Sequence, residues 1–199
     1  MDLSRVAAYS PASSAEGGHE AAVLAPVIDR DGGPHLLFTK RADHLGEHPG
    51  QMSFPGGGRE PSDEDLLATA KREANEEIGL RPDEVDVVGQ LDDLPTVTRY
   101  RIRPFVSQIP DRAYEPDERE VAEIALLSVA ALTDRANYES EHRDHPHYGP
   151  IRLHFFHVDG YTVWGATGRM LVQFLELATD WRAPPEVDRV VDPDADLPQ

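Results

Sequence analysis

Three glutamates crowd one face of a short predicted helix, and this feature constrains the chain more than any other. Residues 64–78 carry apolar side chains at helical spacing. On a helical wheel Glu73, Glu76 and Glu77 share one arc of about 100°, and Glu77 falls within the edge of the apolar face. Like charges repel at this spacing, and a buried carboxylate without a partner is costly. Unless the cluster is solvated, it therefore needs compensating positive charge.

Two kinds of positive charge could compensate the glutamates. Arg72 lies beside their arc, and we expect it to reach only the outer edge of the cluster. Clustered carboxylates also suit a hard divalent cation such as Mg²⁺ or Mn²⁺. A solvated acidic face would need neither partner, and the wheel alone leaves these alternatives open.

The rest of the chain predicts a mixed α+β fold. Ser62, with Asp65 three residues later, is the predicted N-cap of the glutamate helix, and Gly79 is its predicted end. A second helix is predicted at 165–179. Strand-like runs lie at 20–30, 34–41, 83–91, 101–109, 120–129 and 151–158. This mixed order of elements differs from regular βαβ winding.

The chain reads as one domain with two flanking segments. We expect the domain at 20–181, after an N-terminal segment at 1–19. Residues 182–199 are rich in proline and acid and are predicted to be a disordered tail. The loop predicted at 142–148 carries His142, His145 and His147, and we expect no metal site there.

Charge and cysteine content exclude several classes of protein. The 199 residues include 37 acidic and 19 basic side chains, a net charge of −18, which disfavours binding to nucleic acid or to a membrane surface. The absence of cysteine excludes disulfides, thiolate metal sites and a cysteine nucleophile. With no long apolar run and no signal-like start, we expect a cytoplasmic protein. The sequence is compatible with a homodimer.

Residues 58–80 resemble the Nudix box. The pattern runs from Gly58 over five residues to Glu64, then over seven residues to Arg72-Glu73-Ala74, Glu76-Glu77 and Gly79-Leu80, and every specified position is filled. The resemblance implies a Nudix fold, with a mixed β-sheet sandwiched between helices. It also implies hydrolysis of a nucleoside diphosphate linked to another group.

The same resemblance implies roles for individual residues. Glu73, Glu76 and Glu77 would ligate Mg²⁺ or Mn²⁺ together with the Gly58 carbonyl. Glu64 and Arg72 would brace the loop, and Arg72 joins Glu73 and Glu76 in the predicted catalytic set. Residues 118–129 resemble the segment in which a further glutamate approaches the metals. That role falls to Glu120, with Glu123 as the alternative.

Residues 36–57, LLFTKRADHLGEHPGQMSFPGG, resemble the extra signature of the coenzyme A pyrophosphatase branch of this family. The predicted substrate contacts are Lys40, Arg41, His48, Phe54 and Gly57.

One position departs from the branch signature. Gly46 stands where the branch carries an arginine, and Arg41, Lys40 or His44 could compensate. The resemblance to the branch still implies coenzyme A or a derivative as the substrate, cleaved to adenosine 3′,5′-bisphosphate and 4′-phosphopantetheine. The alternatives are a Nudix hydrolase for ADP-ribose or NADH, and a Nudix-fold binding module without catalysis.

Overall fold

The computed structural model describes residues 1–14, 18–45, 49–96, 99–145 and 149–192, and in these ranges the strands form two sheets. The first sheet contains β1 (His19–Arg30), β2 (Gly33–Arg41), β3 (Met52–Ser53), β4 (Gly56–Gly58), β5 (Asp86–Gln90), β6 (Leu94–Pro95), β7 (Tyr100–Gln108) and β8 (Val121–Ser128). The second contains β9 (Tyr138–His145), β10 (Gly149–Val158), β11 (Tyr161–Val163) and β12 (Arg189–Val191). The helices are α1 (Ser4–Ala7), α2 (Leu66–Ile78), α3 (Val129–Leu132) and α4 (Gly165–Ala178).

Strand β1 is the centre of the first sheet. It pairs in parallel with β7 from His19 to Val27, and its other edge pairs antiparallel with β4 and then with β2. Strand β8 adds to β2. The sheet thus mixes parallel and antiparallel pairs, and the predicted α+β class is confirmed.

The first sheet is covered on both faces, and successive side chains of β1 point to opposite faces. Leu24 and Ile28 of β1 pack in a cluster with the apolar face of α2. Ala25 and Val27 lie in a second cluster, which includes residues of α4 and of the second sheet. The predicted second helix therefore has the buried face that its spacing indicated. None of the helices in the described ranges is long and apolar enough to cross a membrane.

The ends of α2 confirm one predicted cap and correct the other. Gly79 ends the helix in the left-handed region at φ 64°, as predicted. At the other end the N-cap is Asp65, whose side chain accepts from the Ala68 N–H at 2.8 Å. The prediction of Ser62 was wrong because residues 60–63 form a turn, closed by the Asp63 N–H to the Glu60 carbonyl.

The predicted disordered tail is corrected as far as residue 192. Arg189–Val191 adds to β9 as the parallel strand β12, and the Asp188 carboxylate accepts from the Ser140 N–H and from Arg135. Arg152 donates to the carbonyls of residues 184 and 186. Hydrogen bonds to arginine therefore order this polar segment, and residues 193–199 lie outside the described ranges.

Two further segments differ from the sequence prediction. Residues 138–145 form β9, so His142 lies on a strand and not in a loop. His147 lies outside the described residues. At the N-terminus, α1 packs against α4 and β5 and places Val6 in the core. The predicted N-terminal segment is thus partly integral to the fold.

Candidate active site

Glu77 is the buried member of the glutamate cluster. It is 6% exposed, as the wheel predicted, and its Oε2 accepts from the Gly56 N–H at 3.0 Å. Burial raises the pKa of Glu77 to about 8, and the neighbouring charges of Glu73 and Glu120 act in the same direction. The protein therefore keeps an acid where its negative charge is costly.

Glu73 lies against the glycine strand β4. A Cβ atom added to Gly57 would lie 2.5 Å from Oε1 of Glu73, so only glycine leaves room for this carboxylate. Burial also raises the pKa of Glu73, and Arg72 partly opposes the effect. The short strand thus touches two glutamates: Gly56 hydrogen-bonds Glu77, and Gly57 accommodates Glu73.

Arg72 reaches further than the wheel predicted. One guanidinium nitrogen lies 3.1 Å from Glu73 and 3.0 Å from Glu76, and another donates to the Gly58 carbonyl at 3.0 Å. The expectation that Arg72 reaches only the outer edge of the cluster was therefore wrong. Glu76 is four residues along the helix, at the spacing where side chains meet, but Glu73 is the adjacent residue, so helical spacing gave no reason to expect that contact.

Asp63 is a site residue that the sequence reasoning missed. Its carboxylate accepts from Arg72 Nε at 2.9 Å and Nη2 at 3.1 Å, and the guanidinium holds the pKa of Asp63 well below its usual range. Glu64, to which the resemblance gave the bracing role, is exposed, and its backbone carbonyl accepts from Arg59. The sequence did contain a signal for this contact. Long side chains on a helix point toward its N-terminus, and Asp63 lies just before α2, on the side toward which Arg72 points.

The geometry favours Glu120 over Glu123 as the additional glutamate. Glu120 lies in the turn before β8, and its charge helps to raise the pKa of both Glu73 and Glu77. The Asp117 N–H ties this turn to the Glu77 carbonyl. Glu123 instead accepts a hydrogen bond from the Tyr161 hydroxyl.

The predicted substrate contacts fall in different places. Arg41 ends β2 close enough to Glu77 for its charge to lower the pKa of that glutamate. Lys40 lies opposite Glu123 in the pairing of β2 with β8. Phe54 is 1% exposed and stacks on Phe38 with ring centroids 4.8 Å apart, so its assignment as a substrate contact was wrong. His48 lies outside the described residues.

The donors around α2 suit a hard divalent cation. They are carboxylates and one backbone carbonyl, and two of the carboxylates, Glu73 and Glu77, have raised pKa values chiefly because they are buried. Within the described part of the chain, no three Asp, Glu or His side chains already converge as a metal-binding group. Arg72 holds Glu73 and Glu76, and Gly56 holds Glu77, so binding a cation requires local rearrangement of these side chains.

A cavity lies apart from these residues. It has a volume of about 460 Å³ and contains none of the predicted site residues. Its lining consists of Arg30, Asp111, Arg112, Ala113, Tyr114, Ile124 and Leu126. The two arginines in the lining are both in ion pairs, Arg30 with Asp111 and Arg112 with Glu84. The chemistry of the site therefore centres on α2 and not on this cavity.

Comparison with known proteins agrees with the residues around α2. Residues 18–148 match the family model described as NUDIX domain. The chain is 36% identical over 156 residues to "Uncharacterized Nudix hydrolase NudL" of Enterobacter sp. (strain 638), covering 76% of this chain and 79% of that protein. A protein of the same name from Cronobacter sakazakii is 39% identical over 155 residues, with the same shares.

A solved structure supports the fold alone. A MutT/nudix family protein from Enterococcus faecalis superposes with a TM-score of 0.52 at 12% identity, covering 82% of this chain and 63% of that one.

Proposed function

This chain belongs to the Nudix family and is a Nudix-type pyrophosphohydrolase acting on nucleoside diphosphate derivatives, and from that premise we propose that its substrate is coenzyme A or a derivative of it. Hydrolysis of the pyrophosphate would give adenosine 3′,5′-bisphosphate and 4′-phosphopantetheine. The alternative of a binding module without catalysis is set aside, because the relatives are named hydrolases.

The observation that supports coenzyme A is the junction between two sequence patterns. The segment that resembles the coenzyme A branch ends in β4, where Gly56 hydrogen-bonds Glu77 and Gly57 lies against Glu73. Its other end supplies Arg41, whose charge acts on Glu77. These contacts support the proposal that the branch-specific segment and the clustered glutamates act in one site.

The charge of the substrate makes a divalent cation necessary at this site. A pyrophosphate is anionic, and the glutamates would repel it. Nudix hydrolases generally use divalent metal ions, and here Glu73, Glu76, Glu77 and the Gly58 carbonyl would hold Mg²⁺ or Mn²⁺. When bound, such an ion neutralises charge on phosphoryl oxygens and makes a coordinated water more acidic.

The side chains of the chain divide the remaining work. Arg72 orients Glu73 and Glu76 through its guanidinium. Glu120, which lies near Glu73 and Glu77, takes the proton of the attacking water as a general base. Arg41 contacts a phosphate of the substrate, a role for which a guanidinium is well suited.

A second candidate rests on Gly46. An arginine expected in the coenzyme A branch is absent at this position, so ADP-ribose or NADH is the alternative substrate.

Product analysis by mass spectrometry separates the two candidates. The protein is incubated with coenzyme A, ADP-ribose and NADH in parallel, with Mg²⁺ and then Mn²⁺, at low and molar salt. We expect 4′-phosphopantetheine from coenzyme A, at a higher kcat/KM than for the other two. The variant Glu76→Gln, purified in the same way, is the control: loss of product with this variant shows that a contaminating enzyme does not cause the cleavage. Cleavage of ADP-ribose or NADH but not coenzyme A would overturn the proposal and leave the pyrophosphohydrolase assignment intact.

A further inference from the structure

Asp63 has a closely defined environment beside the glutamate cluster, although the box pattern does not specify it. Its side chain is 4% exposed and accepts two hydrogen bonds from Arg72. The hydroxyl of Thr69 donates to Oδ2 at 2.9 Å, and the Glu60 N–H donates to the same atom at 2.8 Å. Four donors therefore fix the carboxylate before it contacts any ligand.

The neighbouring Glu64 provides a contrast within the same turn. It carries the same charge and occupies the glutamate position of the box, but it is exposed. The backbone carbonyl of Glu64, and not its carboxylate, is bonded to Arg59 at 3.2 Å. Bracing of Arg72 thus falls one residue earlier than the box pattern implies.

We propose that Asp63, and not the box residue Glu64, is the positioning residue that holds Arg72 away from full pairing with Glu73 and Glu76. The guanidinium lies between two sets of acids, with Asp63 on one side and the two glutamates on the other. Asp63 takes two of its N–H groups and offsets its charge. The proposal rests on pyrophosphohydrolase activity at this site but not on coenzyme A as the substrate.

Charge balance gives the physical reason. With Asp63 ionised, the pair it forms with Arg72 is neutral, and the negative charge of Glu73 and Glu76 remains available to a divalent cation. Without Asp63, the guanidinium would settle on the two glutamates, which it already approaches to 3.1 and 3.0 Å. Arg72 would then compete with the cation for the same oxygens.

The test compares Asp63→Asn with Glu64→Gln, which remove the same charge from adjacent residues. Calorimetry measures Mn²⁺ binding without nucleotide, and kinetics use whichever of coenzyme A, ADP-ribose and NADH the wild type cleaves fastest. For Asp63→Asn we expect Mn²⁺ affinity to fall about tenfold and kcat about 30-fold, with KM within about threefold. Glu64→Gln should change each quantity by less than about twofold. Equal losses in both variants would overturn the proposal.

A double-mutant cycle distinguishes action through Arg72 from a general loss of structure. Arg72→Lys keeps the positive charge but cannot make the two-pronged contact with Asp63. If Asp63 acts through Arg72, adding Asp63→Asn to Arg72→Lys should reduce kcat and Mn²⁺ affinity little further. Fully multiplicative losses would contradict the proposal.

A milder variant covers the case in which Asp63→Asn does not fold. Thr69→Val removes one hydrogen bond to Asp63 and leaves its charge, so we expect a loss of about threefold in kcat and in Mn²⁺ affinity. Unchanged Mn²⁺ binding in Thr69→Val, where Asp63→Asn is unfolded, would overturn the proposal. If the wild type cleaves none of the three substrates, the proposed function fails, while the Mn²⁺ titration still decides the role of Asp63.

Discussion

Acidic side chains lie beside arginines in two regions of the molecule, and the balance of charge differs between them. Around α2, Arg72 lies within 4.0 Å of four carboxylates, those of Glu60, Asp63, Glu73 and Glu76. The nearby Glu77 has a backbone N–H as its bonded partner. Acid is in excess in this region.

In the second sheet the acids have arginines to match. Glu141 is 2% exposed and accepts from Arg143 at 3.0 Å and from Arg189 at 2.8 Å. Arg189 also pairs with Glu139, and Asp188 pairs with Arg135. A balanced network holds strands together, whereas uncompensated acid lowers stability and is typical of a functional site. Substitutions should therefore separate activity from stability between the two regions.

Glu76→Gln should have the largest effect on activity. We expect kcat to fall at least about a thousandfold, or ~4 kcal/mol, because a ligand to the divalent cation is lost. Glu60→Gln is the matched control: the two side chains are 58% and 59% exposed, and both lie near Arg72. Steady-state kinetics and thermal unfolding of both variants make the measurement. Near-normal turnover in Glu76→Gln would remove this residue from the site.

Glu141→Gln should have the opposite profile. It leaves Arg143 and Arg189 without their buried partner, and we expect a loss of about 3 kcal/mol in the free energy of unfolding. Glu139→Gln, at a side chain that is 33% exposed, should cost less than about 1 kcal/mol. Urea denaturation measures both, and kcat of the folded protein should be unchanged. A large loss of kcat in Glu141→Gln would mean that the second sheet also serves catalysis.

The second sheet should also control part of the pH dependence of stability. Burial lowers the pKa of His154 from 6.5 to about 4, and Arg152 and Arg169 act in the same direction. Between pH 6.5 and 4, His154 is therefore protonated in the unfolded chain but neutral in the folded chain. Stability falls as the pH falls through this window, by up to about 3 kcal/mol, and levels off below it.

Urea denaturation across pH 4 to 7 checks this expectation, with His154→Gln as the comparison. The difference in unfolding free energy between the two proteins should shrink or change sign toward low pH. A pH-independent difference would show that His154 titrates alike in both states.

Gly57→Ala should have a smaller effect on the glutamate region. The added methyl would displace the Glu73 carboxylate, and we expect kcat to fall about 30-fold. Gly58→Ala is the control, because a Cβ there meets no atom within 4 Å and the carbonyl is retained. A rise in KM with unchanged kcat would instead support the prediction that Gly57 contacts the substrate.

The smallest expected effect concerns the start of α2. Asp65→Ala should lower the free energy of unfolding by about 1 kcal/mol because the Ala68 N–H loses its acceptor. Ser62→Ala, at the residue that the sequence suggested as the cap, should change stability by less than about 0.5 kcal/mol. Chemical denaturation of the two variants measures the difference, and equal losses would return the capping role to Ser62.

The sequence predicted features that depend on local spacing. The helix α2, its end at Gly79 and the burial of Glu77 all follow from periodicity and cap chemistry. Strand β9 was missed because YESEHRDH lacks apolar alternation. After Tyr138 its buried positions are polar, and arginines from other segments bond to two of them, Arg152 to Ser140 and Arg189 to Glu141. Such pairing between distant segments leaves no periodic signal.

Two of the errors at the site, those that concern Phe54 and Glu64, have a common cause. A motif does not separate residues that touch a ligand from residues that pack beneath the site, and Phe54 is of the second kind. A motif also cannot show which of two adjacent acids reaches an arginine, as Asp63 and Glu64 demonstrate. Both distinctions depend on side-chain direction in three dimensions.

The parallel pairing of β1 with β7 has a consequence for folding kinetics. Residues 31–99 lie between the two strands and contain β4, α2 and the three clustered glutamates Glu73, Glu76 and Glu77. Closing so long a connection costs chain entropy before any pairing energy is gained, and contacts of this kind slow folding. We therefore expect a slow refolding rate, and the activity should recover together with the formation of the central sheet because both depend on the same closure.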